Sequence, residues 1–301
     1  MSTAARIRKT MISYIAASVC AACLAAPACA TEGGGGAYPN GAEDFMAGAV
    51  PPPGTYLINY LTSYSADRFT NNDGVGVVPN FKLDVTANVL RFIHVTSATI
   101  LGASWAMHTL IPILNVDVTT PGGQQDRLGF GDVVVSPMIL AWHSKNLHAV
   151  AAVDFYLPVG PYDKGRMANL GRNYWTIEPA VGVTYLGDSG LDVSAKLMYD
   201  INTINTATDY TSGNEFHMDY AVGQKIKQFT LGGAGYYYQQ VSDDKINGRT
   251  IANNKGSAVA IGPAIKYDYQ KAGFTLKYLF EAETNNRPDG GSLWFKFNYA
   301  F

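Results

Sequence analysis

Between Leu191 and Asn202 the chain alternates at period two. Leu191, Val193, Ala195, Leu197, Tyr199 and Ile201 form one row, opposed by Asp192, Ser194, Lys196, Asp200 and Asn202. A β-strand sends such rows to opposite faces, whereas a helical period would scramble them. One face therefore needs an apolar surrounding and the other needs water or polar partners.

The pattern recurs in twelve segments from Gly54 to the last residue. Apolar rows run through Tyr56, Ile58, Tyr60 and Tyr64, through Leu83, Val85, Ala87, Val89 and Ile93, and through Leu147, Ala149, Ala151, Val153, Phe155 and Leu157. Others run through Trp175, Ile177, Val181, Val183 and Tyr185, and through Phe274, Leu276, Tyr278 and Phe280. The final segment, SLWFKFNYAF, sets Leu293, Phe295, Phe297, Tyr299 and Phe301 against Trp294, Lys296, Asn298 and Ala300. So aromatic a strand is a poor edge in a soluble sheet, because it invites pairing with other chains.

Long polar connections, at residues 67–80, 115–128, 159–173, 203–214, 242–256 and 284–291, alternate with short ones such as 143–146, 187–190 and 227–228. A soluble sandwich has no reason to sort its loops this way. An outer-membrane barrel has long outer loops and tight periplasmic turns. The expected fold is all-β, a transmembrane antiparallel β-barrel of about twelve strands, with both termini periplasmic. Pro137, Pro179 and Pro263 remove ladder hydrogen bonds and are expected at bulges.

Arg6, Arg8 and Lys9 precede an apolar run and then Ala28-Cys29-Ala30. This is the order of a secretory signal peptide, residues 1–30, cut after Ala30. The run is too short to span a bilayer as a helix, and neither Cys23 nor Cys29 sits in a clear acylation motif. Cleavage removes Cys20, Cys23 and Cys29, the only cysteines. It leaves nineteen basic residues against twenty-four acidic ones, a net charge near −5, so there is no basic footprint for nucleic acid.

Residues 31–53, TEGGGGAYPNGAEDFMAGAVPPP, carry neither period, and their glycines and prolines forbid a regular element. They are expected to fold from the periplasmic mouth into the lumen of the barrel, residues 54–301, as a plug. Twelve strands should leave a bore that one thin peptide can fill. Pro51, Pro52 and Pro53 form a stiff lead into the first strand, and Tyr38 belongs to the same plug. Phe45 and Met46 are expected to form a small greasy pocket.

Several stretches resemble the meta-pathway phenol degradation family of outer-membrane proteins, which includes a sphingosine-utilisation protein. They are YPNGAEDFMAGAVPPPGTY at residues 38–56, GFGDVVVSPMILAWH at 129–143, PVGPYD and NLGRNYWTIEPAVGVTYL within 154–185, GNEFHMDYAVG at 213–223 and GGAGYYYQQ at 232–240. Val159 stands where the family pattern has Thr. The resemblance implies an outer-membrane channel or transporter for hydrophobic compounds, embedded in outer-membrane lipid. Resemblance to such proteins also makes Phe301 the recognition end for the barrel assembly machinery.

Inward positions expected to meet in the lumen are Asp132, His148, Asp154, Glu178, Lys196, Asp200, Glu215, His217, Asp219, Lys266, Lys277, Glu281 and Lys296. They form either an ion-pair network bracing the wall or a transverse field at a constriction. No serine lies in a nucleophile motif, and five scattered histidines lack metal-ligand spacing. No catalytic residue, metal or cofactor is expected. The readings are a monomeric channel for passive uptake of hydrophobic or amphipathic molecules (aromatic hydrocarbons, phenolics or long-chain lipids), a narrow small-solute pore, or a structural or adhesive surface protein.

Overall fold

A computed structural model describes residues 31–301; the signal sequence, its cleavage site and the three cysteines lie outside the described residues. The strands are β1 Gly54–Phe69, β2 Lys82–Ile100, β3 Ala103–Thr120, β4 Gly123–Phe130, β5 Val133–His143, β6 Leu147–Leu157, β7 Thr176–Leu186 and β8 Leu191–Asn202. They continue as β9 Ile204–Asn205, β10 Tyr210–Thr211, β11 Glu215–Ile226, β12 Phe229–Gln240, β13 Asp244–Ile246, β14 Arg249–Ile251, β15 Ser257–Tyr269, β16 Ala272–Asn285 and β17 Pro288–Ala300.

Twelve of these close into an antiparallel barrel, in the order β1, β2, β3, β5, β6, β7, β8, β11, β12, β15, β16, β17 and back to β1. The seam joins the first strand to the last, with Tyr56 opposite Ala300 and Leu61 opposite Phe295. Closure removes both edges, which is what backbone groups in a bilayer require. The hairpin arm β4 pairs with the distal part of β3, and β9, β10, β13 and β14 form a small sheet at the long-loop end. Among the described residues, no helix is long and apolar enough to cross a membrane.

Two connections that read as long loops are strand. β3 and β4 leave only Pro121 and Gly122 between them, and β16 and β17 leave only Asn286 and Arg287. Their polar residues extend the wall, and polarity alone does not distinguish a strand rising into water from a loop. Of the three prolines, Pro137 falls in a register shift between β5 and β6. Pro179 and Pro263 do not mark bulges: they stay in register opposite Val153 and Gly233. A proline can keep register on the neighbour that needs no N–H from it.

The two faces are not assigned alike around the ring. On β7 and β8 the apolar row points outward, with Val181 and Val193 exposed and Glu178 and Asp200 fully buried. On β1 to β3 the larger apolar row points inward: Tyr60 is buried, Leu61 is exposed, and Val89, Leu110 and Leu114 line the interior. The outward row of the distal β2 is polar, with Lys82, Asp84 and Thr86 exposed.

Candidate functional site

Residues 31–53 run the length of the interior. At the long-loop end, the Thr31 amide donates to Asp244 Oδ2 at 3.2 Å, and Glu32 accepts from the Tyr162 hydroxyl, Asn205 and Thr208 at 3.1, 2.7 and 2.7 Å. At the short-turn end, the Met46 amide donates to Ser194 Oγ and the Gly48 amide to Thr184 Oγ1, each at 2.9 Å. Pro51, Pro52 and Pro53 then lead into β1, with the Tyr56 hydroxyl donating to Pro52 O at 2.7 Å. The barrel ends Gly54 and Ala300 share the short-turn side, while the segment before Gly54 returns through the lumen.

The middle of the segment turns at Pro39–Ala42, closed by the Ala42 amide on Pro39 O at 3.2 Å. Gly41 holds the third position at φ +81, where a side chain is disfavoured, and a Cβ there would lie 2.5 Å from Leu279 Cδ1. At Gly48 a Cβ would meet the β7 backbone at 2.6 Å, so the chain passes there only because it has no side chain. Asp219 gathers the turn: it accepts from the Tyr38 hydroxyl at 2.5 Å and from the Gly41 and Glu43 amides at 2.9 Å each.

Below the turn, two acids of the segment meet three cations of the wall. Asp44 pairs with Lys277 at 3.1 Å and Lys296 at 2.5 Å, and Glu43 pairs with Arg91 at 2.8 Å. Lys277 also donates to Glu43 O at 2.8 Å and sits over the Trp294 ring. Burial pushes the Asp44 carboxyl up, but Lys277 and Lys296 outweigh it and hold the group below the usual carboxylate range. Burial acts on Glu43 in the same way and is outweighed by Arg91 and then by Lys296. Removing one member of such a buried set costs about 3–5 kcal/mol, because its partner is left charged and dry.

The other expected residues divide into three groups. On the opposite wall, Asp154 meets His108 at 3.1 Å and Lys196 at 3.9 Å, and Glu178 meets Lys196 at 3.6 Å and the Tyr156 hydroxyl at 2.9 Å. Asp200 and Glu215 each lie 3.3 Å from His217 Nε2. Glu281 and Asp132 are lumenal but bind neutral groups: Glu281 takes the Tyr64 and Tyr236 hydroxyls, and Asp132 takes the Gly160 and Arg172 amides that anchor residues 158–175. His148 and Lys266 stand at the short-turn rim, where His148 meets His143 at 2.9 Å and Lys266 meets Asp268 at 3.0 Å. His148 thus lies outside the network, because its strand has only just left the turn.

Residues that sequence reasoning missed are Glu43, Asp44, Arg91, Asn40 and Arg287. Arg91 carried a signal: it is a charge standing in the apolar row of Leu83 to Ile93. The acids of the segment had none, since a stretch without a period has no face.

Above the turn, a cavity of about 990 Å³ opens toward the long-loop end. Its wall is apolar where β2 and β3 rise, through Leu83, Val85, Leu114, Val116 and Val118, with Phe81 and Leu170 beside them. Its floor is residues 33–40 of the segment, with Arg91, His108 and Lys196. Phe45 is buried on the far side of the turn against Gly223 and the Tyr236 cluster, and Met46 faces the short-turn end near Lys266, so neither lines this cavity.

Residues 66–297 match the family described as "Putative MetA-pathway of phenol degradation". The chain belongs to this family. None of the curated proteins is detectably similar to it in sequence. Among solved structures, an outer-membrane channel from Pseudomonas putida F1 is similar at 17% identity and a TM-score of 0.76, with 85% of this chain and 98% of that one covered. The translocator domain of the autotransporter NalP from Neisseria meningitidis aligns at 9% identity and a TM-score of 0.48, covering 83% and 90% of the two chains. The CymD monoaromatic hydrocarbon channel aligns at 9% identity and 0.44, covering 83% and 89%. The first likeness identifies the fold as that of an outer-membrane β-barrel channel.

Proposed function

We propose that this protein is a monomeric outer-membrane channel for passive uptake of hydrophobic or amphipathic small molecules, in the class of aromatic hydrocarbons, phenolics or long-chain lipids. The observation that carries the reading is the apolar cavity wall at the long-loop end. In this reading the long-loop end faces outward and the short turns face the periplasm. An inward valine and leucine row along a cavity of this size offers an apolar solute a surface to rest on. A solute partitions from outside onto the wall of β2 and β3 and comes to rest above the Pro39–Ala42 turn.

Residues 31–53 act as a plug between that cavity and the periplasm. Passage needs the plug to shift or the solute to leave through the wall, and a concentration gradient supplies the drive. The carboxylates of Glu43 and Asp44 pair with all three of Arg91, Lys277 and Lys296 and offset two of their three charges, so the basic wall is covered rather than open to select ions. This favours the hydrophobic-compound reading over the narrow small-solute pore. Phe301 serves as the assembly signal, and residues 1–30 as the secretion signal removed after Ala30.

The test is uptake by cells lacking the protein and complemented with variants. Val85→Asp and Leu114→Asp place a carboxylate in the apolar wall. Each is expected to cut uptake of a radiolabelled aromatic hydrocarbon or long-chain lipid about tenfold while the barrel still assembles, since an uncompensated charge disfavours an apolar solute. Uptake equal to wild type for both compound classes contradicts the proposal.

A further inference from the structure

Asp200, Glu215 and His217 form a cluster that the network of lumenal ion pairs does not explain. All three are fully buried, and their donor atoms lie within 4.8 Å of one another. Glu215 and His217 share the inner face of β11, two residues apart, and Asp200 stands directly opposite Glu215 on β8. Both oxygens of each carboxylate, and Nε2 of the histidine, lack any hydrogen-bond partner. Five polar atoms without a well-aligned hydrogen bond in one buried spot, met only by the 3.3 Å contacts of Nε2 with the two carboxylates, are costly as they stand.

An imidazolium sharing its Nε2 proton between two carboxylates is the simplest occupant of the metal-free cluster, and the same edge lengths also suit an ion. Charge-assisted N–H···O bonds run at about 2.7–2.9 Å, whereas Nε2 lies 3.3 Å from both Asp200 Oδ2 and Glu215 Oε2. A tetrahedral ion with bonds of about 2.0–2.1 Å separates its ligand atoms by about 3.3–3.4 Å. Both nitrogen-to-oxygen edges already have that length. The ligand oxygens of the two carboxylates lie within 4.8 Å of each other.

The other ring nitrogen is set for the same purpose. Nδ1 lies 2.6 Å from Asn40 Oδ1; an amide oxygen only accepts, so Nδ1 carries a proton, and on binding an ion Nε2 would give up its own proton and turn its lone pair to the metal. A histidine ligand oriented by a second hydrogen bond is the usual arrangement at metal sites. Charge balance points the same way. Asp154, Glu178, Asp200 and Glu215 face Lys196 and Arg287, which stacks on Tyr238 at 3.9 Å. Even with Arg91 also acting on Asp154, the four carboxylates keep an excess of negative charge that a cation in the cluster offsets.

We infer that Asp200, Glu215 and His217 bind a divalent transition-metal ion of the zinc class, which ties β8 to β11 and, through the His217–Asn40 hydrogen bond, fixes the plug in the lumen. One nitrogen and two oxygens suit zinc or its neighbours better than magnesium or calcium, which take oxygen shells of six or more. The ion enters as the barrel folds, since the closed site offers no path afterwards. Metal binding itself does not depend on what the channel carries.

The mature chain is refolded into detergent with excess Zn²⁺ or with chelator, desalted and measured for metal by plasma mass spectrometry. About one equivalent of zinc is expected in wild type and in His143→Ala, and loss of it in His217→Ala and Asp200→Asn. The zinc-loaded barrel should also unfold on heating several degrees above the metal-free one. Refolding with Co²⁺ gives a readout on the wild type alone: an intense visible absorption of four-coordinate cobalt. Zinc at buffer level with no cobalt band in wild type overturns the inference, as does equal retention by His217→Ala.

Discussion

On β2 the inward row of the barrel reads Leu83, Val85, Ala87 and Val89, and on β8 it reads Asp192, Ser194, Lys196 and Asp200. Both rows face the same lumen, yet one offers a solute only hydrocarbon and the other offers ion pairs. The plug accounts for the difference. Where the wall is polar, the plug's backbone and acids satisfy it: Ser194 and Thr184 take plug amides, and Asp219 takes three plug donors. Above the turn, along Leu83, Val85, Leu114 and Val118, the plug stands off and the cavity opens, while lower down Val50 packs on Ile93, Val95 and Ala106. The lumen is therefore divided along its circumference and its length into a side that holds a peptide and a side left open and apolar, which in the proposed reading is the solute's path.

The largest effect on this division is expected from Asp44→Ala. It leaves Lys277 and Lys296 buried without their shared partner and should weaken plug docking by about 3–5 kcal/mol. Trp294, whose ring lies 5.4 Å from Lys277 Nζ, reports this as a fluorescence change at lower denaturant than in wild type. An unchanged profile would mean that the polar wall does not depend on the plug.

Tyr38→Phe should act more weakly, by about 1–3 kcal/mol, since it removes one charged hydrogen bond while the two plug amides stay on Asp219. The same Trp294 titration measures it, and the ordering of the two variants is itself a test. On the apolar side, Val85→Asp should weaken binding of a fluorescent hydrophobic probe about tenfold, and Lys82→Ala, on the outer face of the same strand, should leave it alone. Equal losses would place the probe outside the barrel. The smallest effect is expected at the short-turn rim: His148→Ala should leave probe binding and plug docking within about 0.5 kcal/mol of wild type, because His148 pairs with His143 at the rim, away from the plug.

Much of the barrel was legible in sequence because alternation is a local property. The closing strand shows why: Leu293, Phe295 and Tyr299 stay outward, and Trp294 and Lys296 inward. Alternation states that two faces differ, but it does not say which one is inside. On β1 to β3, where the wall rises beyond its neighbours, the environment outside is polar and the row with the bulkier apolar side chains turns in. The polar segments 115–128 and 284–291 misled for the same reason, as strand above a membrane looks like loop. In the plug, Glu43 and Asp44 became visible only when the fold brought Arg91 from β2, Lys277 from β16 and Lys296 from β17 to one point. Asp200, Glu215 and His217 likewise come from two strands whose pairing no spacing rule encodes.

The account stands most directly on planar-bilayer conductance of the mature chain compared with a chain lacking residues 31–53. If these residues fill the polar side of the lumen, the shortened barrel should conduct several-fold more than the full one, with stable openings in place of a small, narrow-channel current. Equal conductance of the two, with both barrels correctly folded by heat-modified gel migration, would contradict it.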